Sequence, residues 1–132
     1  MKIYIDTSAF YALVNKKDEY HHTAQKVWSE ILKNENTLFT SNYVLVESIA
    51  LIQHRLGMKA LAETYEVLLP LLNVEWIDAM IHKTAMSALF TASKRDLSLV
   101  DCVSFEIMRN LNIETAFSFD PHFKQQGFKC IP

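Results

Sequence analysis

The residues of this chain best suited to chemistry are four carboxylates. Asp6 ends the β-prone run Lys2 to Ile5 and precedes Thr7, Ser8 and an apolar, helix-forming stretch. It therefore falls at the carboxyl end of a strand, where open α/β sheets bind their ligands. Asp120 repeats the arrangement after the β-prone Ala116 to Phe119, ahead of Pro121 and His122. Glu47 lies inside an apolar helix predicted over Tyr43 to Leu56. Tyr43, Val44, Ala50 and Leu51 stand three and four positions from it, and neither Arg55 nor Lys59 is one turn away. Asp101 closes the run Ser98-Leu99-Val100-Asp101 that opens another helix, and Leu97, Ser104 and Phe105 around it turn it inward. Plainer roles compete: Asp6 or Thr7 as a helix cap, Ser98 with Asp101 as a capping box, and Asp120 as an N-cap before Pro121. Four acids with no basic residue among them repel one another in a partly dry cleft, and a hard divalent cation resolves this. All-oxygen ligation points to magnesium or manganese, not zinc.

The elements that must position these groups alternate along the chain. After the first strand and helix comes a polar link, Lys16 to Glu19, then a helix from Asp18 or Glu19 to Asn34, a strand at Leu38 to Thr40, and the helix closed by Gly57. A helix over Met58 to Leu69 ends at Pro70. A strand at Leu72 to Ile77, a helix from Asp78 to Ser93, the Asp101 helix to Leu111, the Asp120 strand and an edge strand at Phe128 to Ile131 complete the order. Strands alternating with helices give an α/β/α domain around a parallel sheet. Right-handed crossovers bring every strand-to-helix turn to one edge of it. Asp6 and Asp120 then share a rim toward which Glu47 and Asp101 lean. His21 and His22 read as surface residues. Met80, Met86, Tyr65 and Trp76 read as packing residues rather than a cofactor box, in a middle part that serves the core or a partner.

Composition narrows the function further. The 132 residues suit one domain, and the 50% hydrophobic fraction contains no run of membrane-spanning length. Asp6 interrupts the first apolar stretch too early for a secretory leader, so a cytoplasmic protein is expected. Cys102 and Cys130, without CxxC spacing, read as reduced thiols. Only Gly57 and Gly127 are glycines, which excludes a Walker loop and a GxGxxG nucleotide turn.

The opening IYIDTSAF, the Glu within Val44 to Ser48, the Ser-x-x-Asp of Ser98 to Asp101 and the closing FSFDPHF form an ordered set spanning essentially the whole chain. In this it resembles the PIN-domain family, in particular the small toxin component of VapBC-type toxin-antitoxin pairs. The resemblance implies strand order 3-2-1-4-5, ribonuclease activity, a homodimer, and inhibition by an antitoxin whose tail enters the site. It implies that Asp6, Glu47, Asp101 and Asp120 hold Mg2+ or Mn2+, and that Ser118, with Thr7 or Ser8 in a similar part, hydrogen-bonds within the site.

The expected reaction is metal-assisted hydrolysis of an RNA phosphodiester, with a carboxylate such as Asp101 or Asp120 taking the proton of the attacking water. A formal charge of -2 is not that of a general nucleic-acid binder. Setting aside the four acids leaves only +2, so modest affinity for a restricted RNA is expected. His122, Lys124, Lys94 and Arg95 are possible phosphate contacts, with a solvated surface the simpler role for each. Two rivals remain. One is a metal-dependent phosphatase with Asp6 as nucleophile, although Ser8 stands where a second aspartate belongs. The other is a binding module of the same fold with an idle site.

Overall fold

The computed structural model describes residues 1–132. Its elements, in chain order, are β1 (Lys2–Ile5), α1 (Thr7–Val14), α2 (His21–Lys33), β2 (Thr37–Ser41), α3 (Asn42–Leu56), α4 (Met58–Leu68), β3 (Asn73–Glu75), α5 (Ala79–Ala92), α6 (Leu99–Asn110), β4 (Thr115–Phe117), α7 (His122–Gln125) and β5 (Lys129–Ile131). The strands form one sheet in the order β3-β2-β1-β4-β5, and every neighbouring pair is parallel. That is the topology the resemblance implied. Ile3, Tyr4 and Ile5 are buried in succession, as are Thr115 to Phe117, which requires helices over both faces of the sheet.

The direction of winding reverses between β1 and β4, where Ile5 is in register with Phe117. Asp6 follows Ile5, and Ser118 to Asp120 follow Phe117, so these residues leave the sheet side by side at its carboxyl edge. Such a switch point is the place where open sheets leave a crevice. The helices are started by polar caps: Asp6 for α1, Ser41 for α3, Asp78 for α5 and Ser98 for α6, each side-chain oxygen accepting a first-turn N–H. Gly57 ends α3 with φ 91°, a conformation costly for any residue with a Cβ. Beneath the rim, Phe105 meets Phe123 edge to face at 5.1 Å and stacks on Phe128 at 5.9 Å, holding α6, α7 and β5 together.

Several boundaries differ from the expectation for local reasons. The second helix begins at His21 because Asp18 is spent in the preceding turn, where its Oδ1 accepts the Tyr20 N–H at 2.8 Å. The strand of the Asp120 segment stops at Phe117, since the Phe119 N–H turns to donate to Ser8 Oγ at 2.9 Å. The third strand is three residues long and paired on one side only. His21 is buried, with Nδ1–H donating to the Ala12 carbonyl at 2.7 Å, while His22 is exposed. Trp76 and Met80 stand 76% exposed, so they do not pack the core. No helix is long and apolar enough to cross a membrane.

Candidate active site at the carboxyl edge of the sheet

Asp6 is buried where β1 passes into α1. Its Oδ2 accepts from the hydroxyls of Ser8 at 2.9 Å and Ser118 at 3.0 Å, and more weakly from the Ser8 N–H at 3.4 Å. Burial raises its pKa, the two serine hydroxyls and the Thr7 N–H oppose that, and the Asp120 charge adds to it. Ser118 does double service, because its oxygen also accepts the Asp120 N–H at 3.0 Å. One hydroxyl thus ties the turn after β1 to the turn after β4. Ser8 makes a second tie through Phe119. The Thr7 hydroxyl is buried and has no partner.

Asp101 reaches the same place from the first turn of α6. A helix feeding a parallel strand runs opposite to it, so the start of α6 lies at the rim where β4 ends. The capping box fixes the side chain: Ser98 Oγ accepts the Asp101 N–H at 3.0 Å and Asp101 Oδ2 accepts the Ser98 N–H at 3.1 Å. The capping role and an inward orientation are therefore both realised in one residue. Burial, joined by the charges of Asp120 and Asp6, pushes its pKa up to about 6 against the opposing pull of the Ser98 N–H.

His122 is the member that the sequence reading placed on the surface, and the structure corrects this. Its side chain is buried, with Nδ1 2.7 Å from Asp120 Oδ1 and 3.7 Å from Asp101 Oδ2, and Nε2 3.3 Å from the exposed Asp96. Nδ1 is close to Asp120 but not aligned for a hydrogen bond, and is otherwise without a partner. The ligand atoms of Asp101, Asp120 and His122 all lie within 4.8 Å of one another. The signal was present in Asp-Pro-His: the Asp120 Oδ1 accepts the His122 N–H at 2.9 Å, an Asx turn that folds the imidazole back over the carboxylate.

Glu47 is the outlier. It was expected to turn inward on an apolar face, yet it is exposed, makes no hydrogen bond or ion pair, and stands outside the Asp101-Asp120-His122 group. The core stripe of α3 is Val44, Ser48 and Ile52. At 3.6 residues per turn Glu47 sits about 100° round from the centre of that stripe. Its apolar neighbours Val46 and Ala50 are themselves exposed. Lys94, Arg95 and Lys124 are exposed and make no ion pair with an acidic residue.

A cleft beside this cluster is lined by Tyr20, Ser118, Phe119, Asp120, Pro121 and Lys124, among others. Cys130 borders it as a thiol, its pKa raised by burial, and Cys102 is buried and likewise raised. Converging acids with one imidazole, at the mouth of a cleft, form a centre that can hold a hard cation or a proton beside a bound phosphate.

Comparison with known proteins agrees with this geometry. The model of the PIN domain matches residues 3–129. The chain is 34% identical over 127 residues to the 23S rRNA-specific endonuclease VapC20 of Mycobacterium tuberculosis, covering 96% of this chain and 95% of that protein. It is 26% identical over 128 residues to a VapC ribonuclease of Aquifex aeolicus, covering 96% and 93%. The crystal structure of VapC20, described as a sarcin-ricin loop cleaving toxin, superposes with a TM-score of 0.86 over 96% of this chain and 95% of that one. VapBC2 from Rickettsia felis, bound to a DNA fragment from its promoter, shares the fold at a TM-score of 0.68 and 16% identity, covering 98% and 97%. With strand order, acidic rim and sequence in agreement, the chain belongs to the PIN-domain family, among its VapC-type members.

Proposed function

We propose that this protein is a divalent-metal-dependent endoribonuclease, the toxin of a toxin-antitoxin pair. The observation that carries the reading is the convergence of Asp101, Asp120 and the hydroxyl-bound Asp6 on one rim, with no lysine or arginine ion-paired to any of them. The carboxylates suit a hard cation: ligand oxygens of Asp101 and Asp120 lie, with a His122 nitrogen, within 4.8 Å of one another, and the Asp6 charge acts on Asp101. Asp6, Asp101 and Asp120 would hold Mg2+ or Mn2+. Glu47 stays in the proposed set as its exposed member, so Glu47→Gln is expected to cost less activity than Asp6→Asn. When bound, the metal supplies charge neutralisation at the phosphoryl oxygens and a more acidic water.

The chain's own groups do the rest. Ser8 and Ser118 fix Asp6, and the Ser98 cap fixes Asp101, so that neither carboxylate must reorganise when phosphate arrives. Asp120, the more exposed of the pair with Asp101, lines the cleft and takes the proton of the water that attacks phosphorus. The P–O bond opposite the attacking water breaks and the leaving oxygen departs in line. The relatives' names support RNA as substrate, and the low formal charge of -2 supports a restricted target over general RNA degradation.

Two partners belong to the same reading. An antitoxin is expected to cover the acidic rim. A second copy is expected on the exposed apolar groove lined by Leu45, Val46, Ile49, Tyr65, Leu72 and Trp76. The test is cleavage of total RNA by the parent and by Asp6→Asn, with manganese and with a chelator. Manganese-dependent cleavage by the parent, lost in the variant, is the expected outcome. Protein that binds an antitoxin-like peptide yet cleaves no RNA would assign the chain to the idle module.

A further inference from the structure

Tyr20 lies a hundred residues from Asp120 in the chain but beside it in space. Its ring stacks on Phe119 with centroids 4.6 Å apart and planes inclined by 13°. Phe119 sits between Ser118 and Asp120, and its N–H is clamped to Ser8. Tyr20 is itself held by the turn at Asp18 and by the first turn of α2. The pair is thus registered to the carboxylate centre through clamped backbone N–H groups of both residues. Tyr20 nevertheless keeps 44% of its surface exposed. Phe119 stacks on one face of the ring, and the residue borders the cleft shared with Asp120 and Lys124.

We propose that Tyr20 is a base-stacking platform: an unpaired base of the RNA lies on its open face, next to the phosphate presented to Asp101 and Asp120. Lys124, exposed and unpaired on the same cleft, contacts a neighbouring phosphate. Stacking on an aromatic face tolerates any base but demands that it be unpaired, which makes Tyr20 a selector for loops and single strands over duplex. This inference rests on the endoribonuclease reading above. Tyr20 acts by positioning and takes no part in bond breaking.

The test uses a short single-stranded RNA carrying 2-aminopurine, whose fluorescence is quenched on stacking, bound to the full chain with Asp6→Asn in place so that it is not cleaved. The expected result is quenching on binding, with Tyr20→Ala abolishing the quench and weakening binding about tenfold or more. Tyr20→Phe and Tyr20→Trp, which keep the π face, restore both, and this rescue separates stacking from a fold defect. In the cleaving parent background, Tyr20→Ala is expected to raise KM more than it lowers kcat. Unchanged quench and affinity in Tyr20→Ala would overturn the platform while the parent still cleaves. A parent that cleaves no RNA would overturn the endoribonuclease reading and the platform with it.

Discussion

At the scale of single residues, the site is acidic side chains held in an environment that resists their charge. Asp101 has its pKa pushed up to about 6 by burial and by the charges of Asp120 and Asp6, and burial displaces Asp6 in the same direction. Between the ordinary carboxylate range and about pH 6 the native state then holds more protons than the unfolded chain. Stability of the metal-free protein therefore falls as pH rises through that window and stays lower above it. Thermal unfolding is expected to show a higher Tm at pH 5 than at pH 7.5. Asp101→Asn, which keeps an oxygen for the Ser98 N–H, is expected to gain about 1 to 2 kcal/mol at pH 7.5 and little at pH 5. Ser118→Ala removes the hydroxyl that joins Asp6 to the Asp120 turn, and a fall in kcat of about tenfold or more at retained fold is expected from steady-state cleavage. Much of this was legible because Asp6, Asp101 and Asp120 each stand at a helix-start signal. For His122 only the Asp-Pro-His turn was legible, since its burial depends on the tertiary meeting of α7 with α6. The exposure of Glu47 was not legible, because apolar neighbours on a helix do not guarantee that the face they form is covered.

At the scale of elements, the helix starts do the positioning. Ser98 caps α6 and thereby sets the angle at which Asp101 enters the site, so one hydroxyl serves both folding and function. Ser98→Ala is expected to cost about 1 kcal/mol by denaturant titration, as cap removal generally does, and to lower cleavage further than that loss of stability explains. The long helices and central strands were readable from periodicity and caps. Boundaries slipped where side chains outbid the pattern: Asp18 turning the chain ahead of α2, and Ser8 drawing the Phe119 N–H out of the ladder. The Asp18 turn is a contact two residues long that competes with the helix start locally, whereas Ser8 and Phe119 are far apart in sequence and no local window contains them both.

At the scale of the whole molecule, the parallel sheet brings acids separated by up to 114 positions to one rim, through strand order for Asp6 and Asp120 and through the start of α6 for Asp101. It leaves a second feature on another surface, the groove with Val46 and Trp76 at 67% and 76% exposure. For the proposed homodimer, Trp76→Glu is expected to leave only monomer in sedimentation velocity, without loss of fold. The strand order followed from a resemblance carried by ordered motifs, because alternation by itself yields a parallel sheet but not its permutation. The converging acids are proposed to hold a divalent cation. The most direct measurement of this is a titration of Mn2+ into metal-free protein, followed by the loss of the free-ion electron paramagnetic resonance signal. Saturable binding by the parent, weakened at least about tenfold in Asp6→Asn and in Asp101→Asn, is the predicted result; binding that is absent, or equal in parent and variants, would contradict it.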